Sequence, residues 1–353
     1  MSTVQETPPA ATPATKSRST SWLSKPFRWA YTTVAFFIGL LYILWPTLAL
    51  YYTTVPWNWA RASLALAYLA FGIWALWIRR TFKSRAVLAV LFLGVLAWFI
   101  SIRPSNDRIW RTDVAVVPRV IVNGDSVRFT GFRNFDYKSL EDFTVKYEER
   151  EVFLSHLTSV DLFISYWVEG PVGHTFLTFN FDNSPPVCIS IETRPEEHES
   201  YDPIASMFKK YELIYVVGDE RDLVRVRSNF RKEDVFLYKI RIPAAGARAL
   251  FKVYIDRINE LANKPEFYHL LSNSCTINIV RYANAAGREG GFHIGHLLNG
   301  LFDRYLFEAG FIDTNLPFPR LRARAHINAR AQEANSAPDF STRIRTLPPP
   351  EKE

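Results

Sequence analysis

GPVGHTFLTFNFDNSPPVCISIETR, residues 170–194, decides how the globular part of this chain is read. Two runs rich in apolar and β-branched residues flank Asp182-Asn183-Ser184-Pro185-Pro186, a group of residue types that favours a turn between strands. The turn Gly170-Pro171-Val172-Gly173 delivers His174 to the start of the first strand. A hairpin centred near Asn183 then sets His174 beside Glu192 or Thr193 on the second. Glu192 in that place can orient an imidazole; a surface ion pair with Arg194 is its other reading. His174 can equally be a structural histidine bonded to the backbone.

Working outward, the same strand signals recur. DVAVVPRVIVNGDSVRFTGF reads as strand, turn, strand, with VDLFISYW, YELIYVVG, DLVRVRSN and VFLYKIRI as further strands. Asp219-Glu220-Arg221-Asp222 reads as a charged turn between two of them, and Arg225 and Arg227 as one solvated, ion-paired face of a strand. DPIASMFKKY suggests a short helix; AGARALFKVYIDRINELANK, SCTINIVRYANAAG and LLNGLFDRYLFEAG carry apolar residues at helical spacing. Strands and helices in separate runs make an α+β domain.

The third of these segments starts at one of only two cysteines, Cys275. Pro265 and its neighbours end the preceding helix, and Ser272-Asn273-Ser274 offers helix caps. A thiol in the first turn of a helix gains from the unsatisfied backbone N–H groups there, which also suit an oxyanion; Asn273 and Ser274 are the expected lining of that hole. The ordinary alternative is a small buried apolar residue. Cys188 alternates with apolar residues on its strand and reads as core. A Cys188–Cys275 disulfide, feasible in an oxidising compartment, would remove the nucleophile. His293 and His296 lack a third ligand nearby, so neither a metal nor a cofactor is expected.

Upstream lie three apolar runs, about 29–52, 60–78 and 86–102, each near the roughly 20 residues that cross a bilayer. Lys16, Arg18, Lys25 and Arg28 precede the first; Arg79, Arg80, Lys83 and Arg85 separate the second from the third. The positive-inside rule puts the N-terminus in the cytoplasm and everything after about Arg103 outside it, the periplasm of a two-membrane bacterium. The expected layout is a disordered cytoplasmic tail at 1–24, a membrane region at 25–104, a periplasmic domain at 105–345 and a disordered tail at 346–353. The net charge of +7 lies largely in the tails and juxtamembrane loops, which suits inner-membrane lipids; no basic tract interleaved with aromatics suggests nucleic acid. The spans hold no acidic or basic residue in their interiors, which argues against a transporter.

Four segments carry a resemblance: GHTFLTF around His174, SIETRPEE at 190–197, YELIYVVGDERD at 211–222 and PEFYHLLSNSCTINI at 265–279. Over about Ser105–Arg345 the chain resembles the family named after the N-terminal periplasmic domain of the Lnb lipoprotein N-acyltransferases. The resemblance implies a permuted papain-like fold, related to NlpC/P60 domains, with the histidine before the cysteine. His174 and Cys275 stand in that order. The family's Asn-Cys-Thr-Thr is replaced here by Asn273-Ser274-Cys275-Thr276-Ile277, which keeps the nucleophile and alters its neighbours.

The expectation is therefore three transmembrane helices followed by an α+β thiol-enzyme-like domain. Cys275 would be nucleophile, His174 the base and Glu192 its orienter, acting on an acyl-bearing lipid, lipoprotein or peptidoglycan-linked group of the envelope by hydrolysis or transfer. A non-catalytic binding module and a membrane-complex subunit are the alternatives. The oligomeric state is not legible.

Overall fold

The computed structural model describes residues 21–52, 57–168, 170–288, 290–291 and 293–346. The chain divides into two compact units, residues 1–51 with 55–99, and residues 52–54 with 100–353.

The first unit is helical. Helix α1 runs Ser21–Tyr52, α2 Asn58–Ile73 and α3 Phe82–Ser101. Stretches Phe27–Tyr52, Asn58–Arg79 and Phe82–Ser101 have mean hydropathies of 2.0, 1.5 and 2.0, and are long and apolar enough to cross a membrane. Past Ile73 the second helix widens into a π-helical turn, Trp74–Arg79, and stops at Arg80 in the left-handed region at φ 54°. Tyr68, Ala75 and Leu88 form the buried contact among these helices. Helix α1 begins at Ser21, so the end of the tail expected at 1–24 is helical. The rest of that tail, and residues 347–353 of the C-terminal one, lie outside the described residues.

The second unit is built on a sheet. Its strands are β1 Arg119–Asn123, β2 Ser126–Arg133, β5 Tyr147–Phe153, β6 Leu157–Tyr166, β7 His174–Phe181, β8 Val187–Arg194, β9 Glu212–Gly218 and β10 Asp234–Lys239, while β3 Asp136–Tyr137 and β4 Phe143–Thr144 pair separately. The order is β1-β2-β9-β8-β7-β6-β10, with β5 added on β2. Between β7 and β8, Phe176 faces Ser190 and Thr178 faces Cys188. That register centres the hairpin on Asn183, as the sequence predicts.

Helices cover both sheet faces: α4 Glu220–Arg225, α5 Ala244–Asn263, α6 Cys275–Ala285, α7 Phe302–Glu308, α8 Phe318–Ala325, α9 Asn328–Glu333 and α10 Phe340–Arg343. Side chains alternate along each strand. Leu177 and Phe179 of β7 and Val187, Ile189 and Ile191 of β8 therefore pack with α5, α6 and α7. Phe176 and Cys188, pointing the other way, pack with Leu223, Val224, Ile327, Ala331, Phe340 and Ile344.

Four readings are corrected. DLVRVRSN is not a strand, and Asp219–Asp222 is not a simple turn: the region forms α4 and a following π-helical turn, Val226–Phe230. Asp219 caps the helix by accepting from the Arg221 N–H, 2.9 Å away. The apolar–charged alternation misleads because Arg225 and Arg227 are buried as well, paired with Asp136 and Glu192. DPIASMFKKY provides only one 3₁₀ turn, Ala205–Met207.

Candidate active site

Cys275 is the first residue of α6, with Ser274 at the N-cap position in extended geometry. Ser274 makes no side-chain cap bond; its carbonyl instead accepts from the Asn278 N–H at 3.0 Å. The Asn273 side chain turns away, donating to the Phe267 carbonyl at 2.9 Å and accepting from Asn278 at 2.9 Å. It shapes the turn before the helix and does not line the cleft that holds Cys275. The expected oxyanion lining thus reduces to the backbone of Cys275 at the helix start, with Tyr268 beside it in the cleft wall.

Helix α6 is pinned to β7 beside the histidine. Thr276 Oγ1 and Thr175 Oγ1 lie 2.8 Å apart, both buried. This pinning brings Cys275, whose sulfur lies 3.9 Å from Thr276 Oγ1, into the same cleft wall as His174. A loop that sequence reasoning missed closes the other side. Asn299 donates toward Cys275 Sγ at 3.7 Å and accepts from the Gly173 N–H at 2.9 Å; its amide also donates to the Gly173 carbonyl. That docking needs glycine at 300, because a Cβ there would lie 2.6 Å from the Gly170 carbonyl oxygen.

On the far side of the imidazole, His174 Nε2 is 2.7 Å from Ser190 Oγ and 3.5 Å from Glu192 Oε1. The Ser190 hydroxyl donates to Glu192 Oε1 at 2.7 Å, so it bridges ring and carboxylate. Glu192 also receives a hydrogen bond from Arg227. The Arg227 guanidinium lies 4.7 Å from the Phe176 ring centre, and the His174 ring stacks on the same phenylalanine at 5.7 Å. Ser190, Arg227 and Asn299 are the members that the strand pattern alone did not reveal. Ser190 was within reach, since it shares a strand face with Glu192 two residues on.

The electrostatics are those of an ion pair. Burial opposes charge on the Cys275 thiol, but the adjacent His174 and hydrogen bonds from His174 and Thr175 bring it down from 9.0 to about 6. Burial also opposes the imidazolium, yet the Glu192 carboxylate and the Cys275 sulfur raise His174 from 6.5 to about 9. Burial pushes Glu192 up, while Arg227 and His174 hold it well below the usual carboxylate range. Each partner thus favours the charged form of the other, thiolate on Cys275 and imidazolium on His174.

Both cysteines are free and buried. They belong to the packing on opposite sheet faces, Cys188 with α4 and α10 and Cys275 with α5 and α7. Burial first, then the nearby Glu220 carboxylate, pushes the Cys188 thiol far up. His293, from which no metal site was expected, accepts at Nδ1 from the Gly295 N–H at 3.0 Å, and its ring stacks on Tyr305.

Cys275, His174 and Glu192 share a cleft of about 680 Å³. Trp167, Tyr201, Leu140 and Phe143 supply apolar wall, and Arg111, Arg231 and Asp113 supply charge. A carbonyl in this cleft would find the Cys275 thiol, the His174 ring and the backbone N–H at the start of α6 together.

The family model described as the Lnb N-terminal periplasmic domain matches residues 143–302, a stretch that contains His174, Ser190, Glu192, Arg227, Cys275 and Asn299. No curated protein and no solved structure matches the chain.

Proposed function

We propose that the Lnb N-terminal periplasmic domain in residues 143–302, in a protein anchored by three apolar helices, is a cysteine-dependent acyl hydrolase or acyltransferase of the envelope. The observation that carries this reading is a placement: Cys275 at the start of its helix, His174 at the start of its strand and Glu192 at 3.5 Å from the ring all face one cleft. Their mutual influence moves the thiol down and the imidazole up. A buried structural cysteine has no need of either shift; Cys188 in the same fold goes the opposite way. The helix-borne cysteine set against a histidine that opens an antiparallel strand also supports the permuted papain-like reading.

The steps follow from the geometry. Cys275 Sγ gives an electron pair to the acyl carbonyl carbon, forming the S–C bond and moving charge onto the oxygen. The Cys275 backbone N–H at the helix start meets that oxygen, and Tyr268 lines the cleft beside it. The imidazolium of His174 passes its proton to the departing nitrogen or oxygen as the C–N or C–O bond breaks, leaving a thioester. His174, now neutral, takes a proton from water or an amine as that group attacks the thioester carbon. The C–S bond breaks and returns the thiolate. Glu192, through Ser190, keeps the ring oriented in both halves.

Apolar and aromatic walls favour an acyl substrate with hydrocarbon bulk, and the membrane spans raise the effective concentration of bilayer-borne groups. The domain faces the periplasm in this reading, with the N-terminus cytoplasmic and the anchor in the inner membrane. The test is a short-chain p-nitrophenyl ester offered to the full chain, followed by intact mass. An acyl adduct on wild type, absent from Cys275→Ala, is expected. An adduct that persists in Cys275→Ala, or no adduct on wild type over pH 6–9, would overturn the reading.

A further inference from the structure

Away from the cleft lies a second cavity, of about 290 Å³, between the helix-covered face of the sheet and helices α5, α6 and α7. No residue lines both spaces. Its floor is Val160, Leu162 and Leu177; the helices add Leu250, Ile279 and Phe302, among other apolar side chains. Small residues keep it open: a Cβ on Gly246 would meet nothing closer than 3.8 Å, and Ala283 stands on the opposite wall.

An apolar hollow of this size forfeits packing, since protein interiors leave few voids larger than a water. Apolar cavities of half the size, about 150 Å³, take up small hydrocarbons. Taking a methylene as roughly the size of a liquid water molecule, about 30 Å³, the space fits about ten carbons of a single chain. A two-chain lipid does not fit.

The mouth specifies the other end of such a ligand. Arg288 is the one charged residue lining the cavity. Its guanidinium donates to Asn284 Oδ1 at 2.7 Å and to the Tyr305 hydroxyl, and lies 5.2 Å from the Phe311 ring centre. These partners are neutral; among the described residues no carboxylate stands within ion-pair distance of it. A cation held by neutral partners, with no counter-charge among the described residues, at the rim of an apolar hollow is matched by one anionic head on one alkyl chain.

We propose that this cavity binds a medium-chain fatty acid, its chain among α5, α6 and α7 and its carboxylate on Arg288. The site is separate from the thiol cleft and does not depend on the catalytic reading. The experiment uses the full chain in lipid nanodiscs with a diazirine-bearing dodecanoate, and in parallel the matching dodecanol. Light-induced label from the acid is expected on peptides spanning residues 279–311, competed by unlabelled dodecanoate. Ala283→Trp fills the cavity and should cut that label at least fivefold, as should Gly246→Leu from the other wall. Arg288→Gln should lower acid labelling severalfold and leave alcohol labelling unchanged. Retention of the wild-type melting temperature shows that each variant is folded and separates this result from the fate of the catalytic proposal. Label confined to the membrane spans, label unaffected by both filling variants, or equal response of acid and alcohol to Arg288→Gln would overturn it.

Discussion

Ser190 holds its hydroxyl oxygen 2.7 Å from Nε2 of His174, and directs its own proton to Glu192 at 2.7 Å, while carboxylate and ring stand 3.5 Å apart directly. The serine is buried at 0% exposure, so no free solvent can take its place. The carboxylate therefore acts on the imidazole in two ways, directly by its charge at 3.5 Å and through one bridging hydroxyl.

Ser190→Ala removes that bridge and leaves the thiol and histidine in place. Losing a hydrogen bond of about 1 kcal/mol to the imidazolium lowers the His174 pKa and, through the pair, raises that of Cys275. The alkylation rate of Cys275 at pH 6 should fall by up to about threefold, with its pH midpoint moved upward. An unchanged midpoint would show that Ser190 only fills space.

Glu192→Gln strips the buried Arg227 of its closest counter-ion. Breaking a buried pair by removing one partner costs about 3–5 kcal/mol; Glu192 retains 24% side-chain exposure, so the lower end applies. Thermal unfolding should show the loss. The double variant Glu192→Gln, Arg227→Met should recover part of it, because no unpaired charge is then left inside.

Asp222 tests the fold apart from the chemistry. Its carboxylate takes two hydrogen bonds from Arg133, at 2.8 and 2.9 Å, and one from the Phe135 N–H at 2.8 Å, with no exposed surface. Asp222→Asn should cost about 3 kcal/mol, or roughly 6–12 °C of melting temperature for a domain of this size. Below the melting transition, Cys275 alkylation should keep its wild-type midpoint.

The two thiols should separate in a labelling experiment. Iodoacetamide at pH 7 should modify one cysteine per folded chain, at Cys275, because burial keeps Cys188 protonated. Peptide mapping reads the site. Label shared between the two would contradict the sheet-face assignment.

Where one signal dominated locally, the sequence was legible. The turn residues at 182–186 set the register that brings His174 to Glu192, and Pro265 with the polar run before Cys275 marked the start of α6. Three long apolar runs were equally plain. Illegible were the places where tertiary pairing overrides the local pattern. Residues 220–230 alternate like a strand, yet their arginines are buried by Asp136 and Glu192, which lie far away in sequence. Asn299 reaches the cysteine only because Gly300 lets its loop close on Gly170. Asn273 looked like an oxyanion donor from its position alone; the turn it stabilises uses both ends of its side chain.

The most direct measurement is the pH dependence of Cys275 alkylation in Cys188→Ser, with and without His174→Ala. The account predicts a thiolate midpoint near 6 that holds in Cys188→Ser and moves above about 8.5, the free-cysteine value, once the histidine is gone. The imidazolium keeps its proton up to about 9, so acylation of an ester by the same protein should follow a bell between about 6 and 9. A Cys275 midpoint at or above the free-cysteine value with His174 present, or one indifferent to its removal, would contradict the pair on which the proposed chemistry stands.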